Sequence, residues 1–173
     1  MKVVGIQSQI RKNNFLSVVL LIMFPLLLLA MNYTILLFGF SENQSDANAG
    51  FISSVPYVLT FTCIWFLIAW MFHSSIIRMA TGSKPLERTE NKRIYNLLEN
   101  LCISQGMQMP KLYLIEDDSL NAFASGLNSG SYSISLSRGI VNRLEDDELE
   151  GVLAHELSHI RNRDVRVLII SII

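Results

Sequence analysis

The chain has 173 residues, of which 50% are apolar and only 17% charged, against about 45–50% and about 25% in ordinary soluble proteins. Its formal net charge is −1 and it has no long basic run, which leaves nucleic-acid binding without support. The two cysteines, Cys63 and Cys102, stand far apart and outside any C-x-x-C pair, so neither a disulfide framework nor a cysteine zinc site is expected.

The apolar excess is concentrated in two blocks. Residues 1–14 read as a short tail carrying Lys2, Arg11 and Lys12. Residues 15–40 form an uncharged apolar run interrupted at Ser17, Pro25, Asn32, Tyr33, Thr34 and Gly39. About 20 helical residues cross a hydrocarbon core of about 30 Å, so the run suffices for a transmembrane helix, with a kink expected at Pro25. It is too long for the apolar core of a signal peptide, and no small-x-small cleavage site follows. Residues 55–77, with Trp65 and Trp70, read as a second span, and His73 near its end as an interfacial histidine.

Charge orients the pair. Cations precede the first span and Arg78, Lys84 and Arg88 follow the second, while the loop 41–54 holds Glu42 and Asp46 but no lysine or arginine. The positive-inside rule then places both ends in the cytoplasm and the short loop outside.

From Thr81 the chain turns polar. Gly82, Ser83 and Pro85 read as a linker, and Ile94, Leu97, Leu98, Leu101 and Cys102 recur at helical intervals until Gly106 and Pro110 stop the pattern. Lys111 to Ile115 reads as a strand ending in the acidic turn Glu116-Asp117-Asp118, taken as solvated. Asn121 to Gly126 and Tyr132 to Ser137 read as two strands of an antiparallel hairpin. In the second strand Tyr132, Ile134 and Leu136 alternate with serines, which predicts one covered face.

The next helix carries His155-Glu156-Leu157-Ser158-His159, an H-E-x-x-H pattern associated with zinc-dependent peptide hydrolysis. Residues four apart share a helical face, so His155 and His159 can aim at one ion, with Glu156 within reach of a water there. Asp146, Asp147 and Glu148 crowd the helix start, with Glu145 as candidate N-cap and Leu144 and Leu149 as a hydrophobic staple. Leu149, Val152, Leu153, Leu157 and Ile160 supply a core stripe. Two histidines at this spacing are as compatible with core hydrogen bonding as with metal binding, so the surrounding motifs decide.

Those motifs are Asn121-Ala-Phe-Ala-Ser-Gly126, Leu136-Ser-Arg-Gly139, Asp147 through His159, and Asn162-Arg-Asp164. In this order, behind two apolar spans, they resemble the HtpX family of membrane-anchored zinc metallopeptidases, related to the CAAX prenyl proteases. The resemblance covers most of the chain. It implies an α+β zincin-like catalytic domain, helices plus a small antiparallel sheet, attached to two N-terminal transmembrane helices. It implies one Zn²⁺ per chain held by His155 and His159, with Glu156 as general base. Asn121, Ala122, Phe123 and Ala124 would form the edge strand on which an extended protein or peptide substrate pairs. A purely core role for Phe123 stays open, and Asp164 matches a family position of second-shell or helix-ending character.

The family takes its third zinc ligand from a later glutamate, whereas no acidic residue follows Asp164 here. Residues 78–164 therefore read as the first part of the catalytic domain. Residues 165–173 read as the start of a third apolar segment, about 13 Å long as a helix and too short to span, with the third ligand expected beyond residue 173. Arg161, Arg163 and Arg166 are placed to meet anionic headgroups. The function expected is a zinc endopeptidase of the bacterial inner membrane, its catalytic domain cytoplasmic, acting on membrane or misfolded proteins in quality control. The alternative is a non-catalytic membrane homologue that binds extended peptides through its hairpin edge.

Overall fold

The structure, a computed structural model, describes residues 6–172. Of the expected tail 1–14, residues 1–5 with Lys2 lie outside the described residues, as does residue 173. The remainder of the tail is already helical: α1 spans Ile6–Ile35, runs through Pro25 and passes into a π-helical turn, Leu36–Phe40. Only residues 41–43 separate it from α2, Gln44–Thr81. Most of the expected loop 41–54 is therefore helix. Asn43 explains the early start, because its side chain accepts the Asp46 N–H at 3.0 Å and caps the first turn. At the other end α2 outruns the expected boundary at 77 and stops where Gly82 adopts the left-handed conformation, φ 62°.

Both helices are long and apolar enough to cross a membrane, and only 6% of the most apolar stretch of either is buried. A core helix of a soluble protein would show the reverse. Asn32 and Tyr33 of α1 bond Ser54 and Asn48 of α2 at 2.8 and 2.9 Å, which pairs the helices near their connecting turn. His73 is buried, its Nδ1 2.7 Å from the Trp70 carbonyl oxygen.

Beyond Gly82 the chain builds β1 (Lys84–Pro85), α3 (Lys92–Gln105), β2 (Lys111–Ile115), β3 (Ala122–Ser125), β4 (Ser133–Ser137), α4 (Arg138–Arg143), α5 (Asp146–Asn162) and α6 (Asp164–Ile172). The strands lie in the order β1-β2-β4-β3. The expected antiparallel hairpin is present as β3–β4, but β2 joins β4 in parallel, so the sheet is mixed rather than antiparallel. The segment expected as a linker also contributes β1, antiparallel to β2.

One face of the sheet carries Leu112, Ile134 and Leu136 into a core closed by Ile94, Leu98 and Cys102 of α3 and Leu149, Leu153, Leu157 and Ile160 of α5. Leu149, Leu153 and Leu157 are fully buried, each contributing about 1.5–3 kcal/mol of apolar burial. The expectation of one covered face fails for β4, where all five residues are buried. Ser133 and Ser135 face the end of α2 across a small cavity, and Ser137 donates to the Ser119 carbonyl at 2.6 Å. The acidic turn is less free than expected, since Arg138 bonds both Glu116 and Asp118 at 3.0 Å.

Besides the end of α2 against the sheet, two contacts of α1 tie the long apolar helices to the rest of the molecule. Asn13 Nδ2 donates to the Asn162 carbonyl at the end of α5, at 3.0 Å, and α6 packs along α1.

Candidate active site

The helix α5 begins as its sequence suggests. Glu145 is the N-cap, and Glu148 accepts the Glu145 N–H at 3.0 Å, completing one arm of a capping box. Arg93 of α3 fastens this end by donating to the Leu144 carbonyl at 2.7 Å and the Val141 carbonyl at 3.1 Å. With Leu149, Leu153 and Leu157 locked in the core, the rotation of α5 is set. His155 is left exposed, His159 half-buried and Glu156 buried.

The two imidazoles meet edge to face, with ring centroids 4.6 Å apart, and their Nε2 atoms approach to 3.0 Å. Two nitrogens bound to a tetrahedral zinc at about 2.0–2.1 Å would stand roughly 3.3 Å apart. The pair as it stands is within a few tenths of an ångström of that chelating separation.

Asp164 sets the tautomer. Its Oδ2 accepts from His159 Nδ1 at 2.9 Å, leaving Nε2 as the ring's lone-pair donor. Asp164 lies five residues beyond His159, which on an unbroken helix is about 140° around the axis. The contact exists because Arg163 adopts the left-handed conformation, φ 60°, ending α5 and starting α6 at Asp164 itself. Of the two roles expected for Asp164 the structure has it beside a histidine; it does not end α5, which Arg163 caps, but opens α6. Its Oδ1 is buried without a partner among the described residues.

Glu156 faces β3. Burial pushes its carboxyl above the ordinary glutamate range, while the Ala124 N–H it accepts and the two imidazoles pull the other way. A cleft of about 390 Å³ separates Ala122, Phe123 and Ala124 from Glu156, His159 and Asp164. The geometry of β3 decides what it offers there. Ser137 N–H donates to the Asn121 carbonyl at 2.9 Å. By antiparallel alternation Phe123 and Ser125 also bond towards β4, so Ala122 and Ala124 turn their N–H and C=O groups to the free edge.

The structure therefore sets Glu156 and His159 across the cleft from Ala122 to Ala124, with His155 joined to the group through the His159 ring. Asn121 lies one residue before the strand, and its amide bonds inward to Ser137 Oγ at 3.0 Å. Among the described residues no group of three His, Cys, Asp or Glu side chains converges as a metal site. Arg166, expected beside anionic headgroups, donates its guanidinium to the Leu127 carbonyl at 2.8 and 3.0 Å. It holds the loop after β3 rather than pointing freely outward, as a surface cation would.

Residues 88–173, from the approach to α3 through α6, match the model of peptidase family M48. A protease HtpX homologue of Bacteroides fragilis (strain YCH46) is 54% identical over all of this chain and 57% of its own length. One from Listeria innocua is 39% identical over 63% of this chain and 36% of its own. One from Tropheryma whipplei (strain Twist) is 33% identical over 64% and 38%. The chain thus spans 57% of the length of the Bacteroides relative, its two apolar helices included.

Proposed function

The chain belongs to peptidase family M48, and from that membership and the paired imidazoles we propose that it carries the zinc-binding helix and substrate edge of a membrane-anchored zinc endopeptidase. The observation that carries the proposal is the convergence of His155 and His159 Nε2 at 3.0 Å, with His159 Nδ1 occupied by Asp164. These two nitrogens would hold the ion. The donor set fits zinc but is one protein ligand short of the usual catalytic three. The third is proposed to come from beyond residue 173, in keeping with relatives longer than this chain.

When bound, zinc supplies Lewis acidity, which brings water within reach of deprotonation near neutral pH and polarises a carbonyl. Glu156 is the proposed general base. It takes the proton of the attacking water and returns it to the leaving amine. Its raised proton affinity suits that exchange better than an ordinary exposed carboxylate would. Ala122 and the Ala124 carbonyl hold an extended substrate by main-chain pairing, the Ala124 N–H being taken by Glu156, while Asn121 and Phe123 flank that grip. Such pairing favours unfolded segments with little regard to sequence, which supports membrane or misfolded proteins as substrates.

The setting proposed is a bacterial inner membrane with the cleft on the cytoplasmic side. Support comes from the charge asymmetry around the two helices and from the exposed apolar surface of both. The test is cleavage of casein by the full-length protein with zinc, against Glu156→Gln. The variant should lose on the order of 10²–10⁴-fold. Equal cleavage would remove the mechanism and favour a homologue that only binds extended peptides.

A further inference from the structure

The serines of β4 have no part in peptide hydrolysis, yet they are buried. Ser133 and Ser135 are 7% and 2% exposed. In register beside them on the same face stand Lys111 and Tyr113 of β2 and, opposite Ser133, Ser125 of β3. The end of α2 closes this face, with the Arg78 guanidinium 5.8 Å from the centre of the Tyr113 ring. Between sheet and helix lies a cavity of about 90 Å³.

Its lining is rich in donors. Ser125 and Ser133 share one hydrogen bond at 2.7 Å, so one of their two protons remains to be placed. Ser83 is already satisfied: Thr81 gives its one hydroxyl proton to the Ile77 carbonyl at 2.8 Å, so Ser83 donates to Thr81 Oγ1 at 3.0 Å. The Ser135 hydroxyl lines the cavity and makes no hydrogen bond among the described residues. Lys111 and Arg78 both reach the cavity, neither is in an ion pair among the described residues, and no carboxylate lines it. Hydroxyls left unpaired in a buried site are costly. Water would satisfy them too, but it brings no negative charge to exposed Lys111 or to half-buried Arg78, which donates to Ser75 Oγ at 2.8 Å.

We propose that this cavity binds a tetrahedral oxyanion, the phosphate group of inorganic phosphate or of a phospholipid head. Such a group is acceptor on every side. It would take the free serine protons and charge-assisted bonds from Lys111 and Arg78. The cavity lies where the apolar stretch of α2 gives way to Arg78, so either source has access.

The test uses full-length protein in a neutral, phosphate-free maltoside detergent. It is titrated at constant ionic strength with inorganic phosphate in one arm and dihexanoyl phosphatidic acid in the other, reading thermal unfolding. A saturable rise in Tm is expected in at least one arm, and the arm with the lower half-saturating concentration names the source. Lys111→Gln and Ser135→Ala should each raise that concentration about tenfold or more, as loss of one such bond predicts. Lys111 is exposed, so its variant keeps the test decisive if Ser135→Ala fails to fold. Flat titrations in both arms, or a shift insensitive to Lys111→Gln, would overturn the site and leave a hydrated cavity.

Discussion

His159 is engaged through both ring nitrogens, one on Asp164 and one on the neighbouring imidazole. Removing the carboxylate frees the ring to rotate and to exchange tautomers. Asp164→Ala should therefore weaken zinc binding by about 10–100-fold, read by competition with a chromophoric chelator; unchanged affinity would contradict the role. Glu156 gives a prediction in pH. Burial raises its pKa, so the folded protein holds this proton more tightly than the unfolded chain does. The stability it contributes is full below the unfolded value of about 4.3 and is lost as pH rises through the higher folded value. In zinc-stripped protein, Glu156→Gln should melt above the parent at pH 7, with the gap closing as the pH falls towards 4. A gap that persists unchanged at pH 4 would rule out burial of the charge as its cause. At this scale the approach of His155 to His159 was legible, because a four-residue interval on a helix determines which side chains share a face. The Asp164 contact was not, since it depends on a break at Arg163 that a continuous helical pattern conceals.

Two backbone positions with positive φ make opposite predictions for the elements around the cleft. Gly126 ends β3 at φ 117°, and a Cβ there would stand 2.5 Å from the Ser131 carbonyl oxygen. Gly126→Ala should cost about 1–3 kcal/mol and loosen the strand edge. Arg163 holds a left-handed conformation that glycine adopts without strain. Arg163→Gly should stabilise by up to about 1 kcal/mol. Chemical denaturation of both variants checks the pair, and a loss in both would show that the Arg163 side chain outweighs its backbone. Period-two patterning was enough to find β4, and its closeness in the chain to Asn121–Gly126 was enough to pair the two as a hairpin. The parallel union of β2 with β4 was hidden, since nothing local records a register between strands that are not consecutive. The polar residues after Asn43 read as loop for a similar reason. Composition shows where apolar burial is absent, whereas a capped helix can run on through Ser45, Asp46 and Asn48.

Over the whole molecule, large side chains such as Phe15, Leu27, Phe61 and Met71 are at least 64% exposed, more apolar surface than water tolerates unpartnered. In the proposed orientation a cysteine placed at Ser158, in a variant lacking Cys63 and Cys102, should react with an impermeant maleimide only after the inner membrane is opened. Labelling of intact spheroplasts would invert the topology. The bond from Asn13 to the Asn162 carbonyl then acquires a metric meaning. It joins the first membrane helix to the end of the helix that carries both histidines, three residues past His159. The cleft is consequently mounted on a post of set length instead of hanging from a tether. Given the proposed function, such a mounting would work as a depth gauge: a peptide bond would be reached according to its height above the lipid, and residues deeper or farther out would pass unread whatever their sequence.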